Sequence, residues 1–194
     1  KHNHNTNPFA VKADGKSFAL AHNGVLWNDK DLKLLEQLPV TSVETDSYVA
    51  VQLIEKQKAL DFDSLQAMAE NVEGSFVFTV LDNEDSIWFV VGDNPLCIFR
   101  YEGFLLYAST EEILIKTAKK MRLGAPTSVR KPEEGDILKI DRAGRVTTGS
   151  FTPNTSYLHC WRYRHSYQAF IPATAETTEL YADLSAAAKS QGVT

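Results

Sequence analysis

Hydrophobic positions at the start of the chain change from strand-like to helix-like spacing. Residues 17–22 form a short apolar run that stops at Asn23-Gly24, two residue types that tolerate positive φ. The pattern predicts a strand followed by a tight turn. Leucines at helical spacing after Asn28 then predict a helix that ends before Pro39.

Two further helices are predicted before the composition changes. Asp46 precedes an apolar pattern in which Val49 and Leu53 share one face, and it therefore predicts a helix start. Residues 64–72 predict a third, shorter helix with Ser64 as its cap. Each helix has an apolar side that needs a partner surface.

The middle of the chain is rich in β-branched and aromatic residues, which favour strands. The apolar runs predict a four-stranded antiparallel meander over residues 75–81, 87–91, 96–101 and 104–108. Thr110 is predicted to cap a helix that Gly124 ends, before a last hairpin over 137–141 and 145–151. Strands that are nearly continuous in apolar residues need cover on both faces. We therefore expect an α+β fold with helix–sheet–sheet–helix layering.

The composition limits the classes of function. The chain has 194 residues, 43% of them hydrophobic, and a net charge of −5. This acidic balance does not suit a nucleic-acid or membrane surface, and no apolar run reaches the ~18 residues of a membrane span. Two cysteines are too few for a disulfide framework. We expect a cytoplasmic protein without nucleic-acid or membrane partners, and its oligomeric state stays open.

The composition also changes near residue 152. Residues 1–151 carry the alternating helices and strands, whereas residues 152–194 form a divergent extension with an exposed helix predicted at 176–191. The aromatic and basic run at 161–164 is expected to pack on the domain or on a partner. These differences predict one domain followed by an extension.

Common motifs for nucleotides, metals and redox chemistry do not occur in the sequence. His2 and His4 have the spacing of a metal-binding pair, but no third ligand is evident. We therefore expect neither a cofactor nor a metal.

Three short stretches are notable for their order along the chain. They are Asn5-Thr6-Asn7-Pro8-Phe9, Ala21-His22-Asn23-Gly24 and Glu44-Thr45-Asp46. This ordered set resembles class II glutamine amidotransferase domains, which are N-terminal-nucleophile hydrolases such as the glutaminase parts of glucosamine-6-phosphate synthase and amidophosphoribosyltransferase. The resemblance covers roughly residues 5–148. It implies an αββα sandwich for residues 1–151, glutamine as the substrate, and an ammonia-accepting synthase domain or subunit as a partner.

The resemblance implies that Asn23 and Gly24 form an oxyanion hole. Hydrolysis of the glutamine amide passes through a tetrahedral oxyanion, which requires preorganised hydrogen-bond donors. Asn23 can offer a side-chain N–H, and Gly24 can bring its backbone N–H close because it has no Cβ. The alternative is that the pair is only a hairpin turn.

Asp46 and His22 are the expected substrate-binding residues. The resemblance places Asp46 against the α-ammonium of glutamine, whereas the plain alternative is a helix N-cap. His22 would support the oxyanion loop, or else be a structural histidine at a strand end.

The resemblance also implies a nucleophilic cysteine at the mature N-terminus, with its own α-amine as the base. Because the chain begins at Lys1, we expect this cysteine, and an arginine for the substrate carboxylate, to lie upstream. Cys97 lies in an apolar strand and Cys160 in the divergent extension, so neither is expected to replace the nucleophile. Asn7 stands where many relatives have a histidine.

The leading hypothesis is a domain that hydrolyses glutamine to glutamate and ammonia through a cysteine thioester. One alternative is another amide hydrolase on the same fold, in which Asp46 would have no ammonium to bind. The other is a non-catalytic module for glutamine sensing or subunit contact.

Overall fold

The chain folds into two antiparallel sheets and two layers of helices. A computed structural model of the protein describes residues 9–13 and 16–154. The helices in this part of the chain are α1 (Asp29–Leu35), α2 (Tyr48–Gln57), α3 (Phe62–Asn71) and α4 (Glu111–Met121). The strands are β1 (Phe9–Ala13), β2 (Lys16–Leu26), β3 (Gly74–Asp82), β4 (Ile87–Val91), β5 (Cys97–Tyr101), β6 (Phe104–Ala108), β7 (Ser128–Arg130), β8 (Asp136–Ile140) and β9 (Val146–Ser150).

The strands divide into a large sheet and a small one. The large sheet has the order β1-β2-β3-β4-β8-β9 and the small sheet β6-β5-β7. The predicted single meander is wrong, because β4 and β5 lie in different sheets. The chain passes from one to the other at residues 92–95. There Pro95 offers no N–H for a hairpin ladder, and the side chain of Asn94 bonds to the two residues Asn23 and Ser75 of the large sheet.

Three hydrophobic clusters lie between successive layers. The largest packs α1, α2 and α3 against one face of the large sheet, with Phe78 and Leu65 fully buried. The second lies between the two sheets around Phe89. The third packs the small sheet on α4 through Phe99 and Leu114. The four layers confirm the expected αββα sandwich.

Strand β2 continues through Asn23-Gly24, where the sequence predicts a tight turn. Its pairing with β3 runs without interruption from Phe18 opposite Asp82 to Leu26 opposite Gly74. The hairpin-turn interpretation of Asn23-Gly24 is therefore wrong. The unusual backbone of Gly24 is used inside the strand and does not end it.

The caps of α2 and α3 differ from the predicted ones. Ser47, not Asp46, occupies the N-cap position of α2, and its side chain makes no cap hydrogen bond. Helix α3 begins before Ser64, with Asp61 as its cap. Asp61 and Ser64 form a reciprocal capping box, in which each side chain bonds to the backbone of the other. Ser64 occupies the third position of the helix and is one half of the capping box. This explains why the sequence pattern pointed to it as the cap.

Helix α4 confirms one predicted boundary and corrects another. The side chain of Thr110 caps its start as expected. Arg122 follows the last residue of α4 and takes the left-handed conformation that is usual for glycine at this position. The helix therefore ends before Gly124, where the sequence predicts its stop. Helix α1 ends at Leu35, well before Pro39.

Several predicted features lie outside the described residues. They are His2, His4, Asn7, Cys160, the 161–164 run and the 176–191 helix. The division near residue 152 therefore stays a prediction. None of the helices in the described ranges has the length and apolarity needed to cross a membrane.

Asp82 is a buried carboxylate at the β3–β4 turn. Only 5% of its surface is exposed. Its Oδ1 accepts hydrogen bonds from the backbone N–H groups of Glu84 and Ser86, and its Oδ2 accepts one from the indole of Trp88 at 3.0 Å. Because a buried charge is tolerated only when it is well hydrogen-bonded, these donors make Asp82 the organiser of this hairpin.

Replacing Asp82 by Ala is expected to lower the free energy of unfolding by about 2–4 kcal/mol, because three donors lose their acceptor. Urea unfolding followed by circular dichroism measures the change. The matched control is Asn83→Ala in the same turn, where the exposed side chain should matter by less than about 0.5 kcal/mol. Equal losses in the two variants would contradict the organising role of Asp82.

Candidate functional site

The last part of strand β2 has one edge that no described strand covers. Strand β1 pairs only with residues 16–20 of β2, whereas β3 pairs with β2 as far as Leu26. On the uncovered edge, the backbone N–H of Leu26 donates to Oδ2 of Asp46 at 2.7 Å. A carboxylate thus takes the place that a strand carbonyl would have, and we call residues 21–26 of this edge the open edge.

The backbone N–H of Gly24 points to the same open edge. Backbone groups two residues apart on a strand face the same side, and the N–H of Leu26 faces away from β3. The pairing of β2 with β3 agrees with this direction. Phe76 is the partner of Gly24 on β3, and its carbonyl accepts from the N–H of Gly92, on the side of β3 that faces away from β2. The backbone N–H groups of Gly24 and Leu26 are therefore neighbours on one edge, roughly 6.6 Å apart along the strand. The second of them is the group that is bonded to Asp46.

Gly24 lies too close to the next strand for any side chain. Its φ is +144°, and a Cβ placed on it would lie 1.8 Å from the carbonyl oxygen of Ser75 and 2.9 Å from Nδ2 of Asn94. Only glycine permits this approach of two backbones. The residue is required here by contact across the sheet, and the approach leaves its N–H unobstructed by a Cβ.

Asn94 ties the Asn23-Gly24 segment to the loop between the sheets. Its Nδ2 donates to the carbonyl of Asn23 at 2.8 Å, and the hydroxyl of Ser75 donates to its Oδ1 at 2.6 Å. Together the two bonds fix the orientation of the Asn94 amide. They hold the backbone of Asn23 in place from outside its own strand.

The side chain of Asn23 is exposed beside a small cavity between the sheets. The cavity has a volume of about 190 Å³. Its lining includes Asn23 and Thr79 of the large sheet, and Leu96, Tyr107 and Ser109 from the loop and small sheet. Asn23 can thus reach a ligand from the face of the sheet, whereas the Gly24 N–H reaches it from the edge.

Asp46 is half-buried, and both of its carboxylate oxygens have a protein donor. Oδ2 accepts from the N–H of Leu26, and Oδ1 accepts from the hydroxyl of Ser47 at 3.3 Å. Neither bond runs to the first turn of α2, so the carboxylate does not cap the helix. An ionised carboxylate has about four acceptor sites, and the bonds to described residues use two of them.

Among the described residues, Ser47 joins His22 to Asp46 by hydrogen bonds. Nδ1 of His22 lies 2.8 Å from the hydroxyl oxygen of Ser47, and the ring of His22 lies on that of Phe78 with centroids 4.8 Å apart. Burial lowers the pKa of His22, although the charge of Asp46 and the backbone of Ser75 oppose the shift. Nε2 makes no hydrogen bond within the described part of the chain. The predicted role of His22 in substrate binding stays a prediction.

Cys97 has the surroundings of a core residue. It is 2% exposed and packs with Phe99 and Leu114 between the small sheet and α4. Burial raises the pKa of its thiol, and the charge of Glu111 acts in the same direction. A raised pKa disfavours the reactive thiolate. The described residues include no group of three or more His, Cys, Asp or Glu side chains that could hold a metal ion.

A larger crevice lies at the opposite end of β4 from the open edge. It has a volume of about 410 Å³, and its lining includes Asp85, Ile87, Arg100 and Arg142. None of the predicted site residues lines it. Size alone therefore does not locate the site, and the chemistry of the side chains favours the smaller cavity.

Comparison with protein families identifies the family of the chain. Residues 1–116 match the family model described as a glutamine amidotransferase domain. The chain belongs to this family. The two sheets and four helices of the described residues have the fold of a solved amidotransferase structure.

Relatives of this amidotransferase domain include two kinds of curated enzyme. The chain is 30% identical over 164 residues to an amidophosphoribosyltransferase from Methanothermobacter thermautotrophicus, a match covering 80% of the chain and 33% of the relative. It is 36% identical over 104 residues to a glutamine–fructose-6-phosphate aminotransferase from Oceanobacillus iheyensis, covering 50% of the chain and 17% of the relative. The chain thus spans about a third or less of the length of these relatives.

A solved structure confirms the fold of the amidotransferase domain. Glutamine phosphoribosylpyrophosphate amidotransferase from B. subtilis, in complex with ADP and GMP, superimposes with a TM-score of 0.64 at 24% identity. The match covers 79% of this chain and 33% of that one. At this identity the likeness concerns the fold.

Sequence reasoning assigns no role at the site to Ser47, Ser75 or Asn94. Ser47 directly follows the Glu44-Thr45-Asp46 stretch, and Ser75 and Asn94 lie in two further stretches of the family resemblance, residues 74–76 and 92–96. Their bonds join positions far apart in sequence, such as Asn94 and Asn23. Their place in or beside these stretches was the signal in the sequence, but it does not reveal the bonding partner.

Replacing Gly24 by Ala is expected to lower the free energy of unfolding of the amidotransferase domain by at least about 2 kcal/mol, because the new Cβ meets the Ser75 carbonyl. Urea unfolding measures the loss. Gly124→Ala is the matched control, since a Cβ there meets nothing within 4 Å. A Gly24→Ala variant as stable as this control would show that the two backbones can separate freely.

Proposed function

We propose that the domain hydrolyses the side-chain amide of glutamine to glutamate and ammonia. The observation that supports this most is the open edge of β2, where the Gly24 N–H and the Asp46 carboxylate are neighbours. An oxyanion needs a donor, and an α-ammonium needs an acceptor. In glutamine, the amide carbonyl that becomes the oxyanion and the α-ammonium lie at opposite ends of the molecule. An extended glutamine can therefore lie along the edge and reach both.

The side-chain amide of Asn23 and the backbone N–H of Gly24 act as the oxyanion donors in this proposal. Attack on the amide carbon turns the carbonyl oxygen into an oxyanion, and the two donors stabilise that charge without reorganising. The bonds from Asn94 and the contact with Ser75 support their fixed position. In many enzymes, preorganised donors of this kind contribute more to the rate enhancement than any other single effect.

The nucleophile is proposed to be an N-terminal cysteine of the natural protein, as the family resemblance implies. Its sulfur would form a thioester with the glutamyl carbon while ammonia leaves with the proton taken up by the α-amine. Water then hydrolyses the thioester to glutamate and regenerates the thiol. The core surroundings of Cys97 support leaving that residue out of the reaction.

Ammonia is proposed to pass to an acceptor on a synthase domain or partner subunit. The names of the relatives describe enzymes that transfer amino groups to a phosphoribosyl compound and to fructose-6-phosphate. The larger length of those relatives supports an acceptor outside the residues of this chain.

The proposal is tested on the natural full-length protein with glutamine and with an electrophilic glutamine analogue. We expect release of glutamate and ammonia, and covalent labelling of one cysteine that mass spectrometry places at the mature N-terminus. Binding of glutamine without hydrolysis or labelling would instead favour a sensing module. Hydrolysis of amides that lack an α-ammonium, with no preference for glutamine, would favour another amide hydrolase.

Replacing Asn23 by Ala is expected to reduce kcat about 10²–10³-fold with the fold intact, because one oxyanion donor is lost. Steady-state kinetics of ammonia release measure kcat, and circular dichroism checks the fold. Asn83→Ala removes an exposed amide far from the open edge and serves as the control. A near-normal kcat for the Asn23 variant would remove Asn23 from the oxyanion role.

Replacing Asp46 by Asn is expected to raise KM for glutamine about tenfold or more, because the isosteric amide lacks the charge that attracts the α-ammonium. The amide oxygen can still accept from Leu26, so the strand edge stays in place. Asp85→Asn removes an equal charge from the exposed pair with Arg142 and should leave KM unchanged. An unchanged KM for the Asp46 variant would return Asp46 to a structural role.

A further inference from the structure

We infer that Ser47 and His22 form a positioning relay that holds the Asp46 carboxylate in one orientation for the α-ammonium of glutamine. The inference rests on the proposed function. It gives Ser47 a role that the sequence does not reveal, and it changes the expected role of His22 from substrate contact to support.

The relay is a continuous chain of hydrogen bonds. Nδ1 of His22 lies 2.8 Å from the hydroxyl oxygen of Ser47, and this hydroxyl lies 3.3 Å from Oδ1 of Asp46. The other carboxylate oxygen accepts the N–H of Leu26 at 2.7 Å. With a donor on each oxygen, the carboxylate plane is defined by two separate elements, strand β2 and the start of α2.

One arrangement of hydrogen atoms satisfies both contacts of Ser47. A hydroxyl has a single hydrogen to donate, and a carboxylate without a proton only accepts. If the hydroxyl donates to Asp46, then Nδ1 of His22 must carry a hydrogen and donate to Ser47. The neutral ring then has no hydrogen on Nε2, an atom that makes no hydrogen bond within the described residues.

Burial keeps this arrangement in place. Ser47 is 3% exposed, and the ring of His22 rests on Phe78. Burial also lowers the pKa of His22, so the neutral ring that the relay needs is the favoured form at neutral pH. Contact with Phe78 on one side and with Ser47 at Nδ1 limits the movement of the His22 ring.

Helix capping does not use the hydroxyl of Ser47. A serine that caps a helix has extended backbone angles and accepts a hydrogen bond from the first turn. Ser47 stands at the N-cap position of α2 with helical angles, φ −57° and ψ −28°, and its side chain makes no cap bond. The hydroxyl is turned instead toward His22 and Asp46, which makes orientation of the carboxylate its main use.

The test uses Ser47→Ala in the natural full-length protein. We expect KM for glutamine to rise about tenfold, which corresponds to about 1.4 kcal/mol of binding, with kcat nearly unchanged. Ser47→Thr keeps the hydroxyl and should restore most of the lost affinity. Ser64→Ala is the matched control, because Ser64 is equally buried at 3% and lies in the first turn of a helix, but the described bonds of its hydroxyl run to Asp61. The Ser64→Ala variant should be less stable than the wild type, but its KM for glutamine should be unchanged.

A second measurement reads the relay without catalysis. Nitrogen-15 NMR of the imidazole should show His22 neutral and protonated on Nδ1, and Ser47→Ala should shift this signal. Protonation on Nε2, or an unchanged KM in Ser47→Ala while Asp46→Asn raises it, would overturn the relay and leave the proposed function standing. If the wild-type protein does not act on glutamine, the proposed function fails, and the NMR signal alone then decides whether the hydrogen-bond chain exists.

Discussion

The candidate site depends on one hydrogen bond, in which the backbone N–H of Leu26 donates to Oδ2 of Asp46. Within the described residues, β1 pairs with β2 as far as Leu20, and β2 continues to Leu26. The backbone donors of residues 21–26 on this edge need acceptors, since unpaired N–H groups are costly when they are removed from water. Asp46 supplies the acceptor for Leu26, and the N–H of Gly24 faces the same side. An edge of β2 that no described strand covers therefore brings a donor and a carboxylate together.

The segment that connects the two sheets supports the Asn23 part of this edge. At residues 92–95 the chain leaves the large sheet, and the side chain of Asn94 returns to bond the carbonyl of Asn23. The contact is possible because Gly24 brings β2 and β3 into close approach. The same loop also contributes Leu96 to the second hydrophobic cluster. Packing of the sandwich and placement of the proposed oxyanion donors thus depend on the same short segment.

The hydrophobic pattern of the sequence predicts the layers of the fold better than it predicts which strands belong to the same sheet. The apolar strands and helix faces of this sequence indicate the four-layer sandwich, because burial of both sheet faces leaves few alternatives. They do not show that β4 and β5 separate, since a loop with Pro95 and a hairpin loop look alike in sequence. Asn23-Gly24 has the composition of a turn, but contact with Ser75 from a distant strand decides its conformation. The identities of Asn23, Gly24 and Asp46 as site candidates came from the family resemblance, whereas their shared edge could come only from strand register.

The distribution of helix caps separates structural from functional use of polar side chains. Helices α3 and α4, away from the open edge, have side-chain caps from Asp61 and Thr110. Helix α2, which starts at the site, has two good capping residues in sequence, Asp46 and Ser47, and neither caps it. Because the backbone of Ser47 is helical, its side chain is not placed to cap α2. Ser47 and Asp46 instead join a hydrogen-bond chain that runs from His22 to the open edge. In the proposed mechanism the start of α2 therefore serves to orient the Asp46 carboxylate, whereas the side chains at the starts of α3 and α4 serve their own helices.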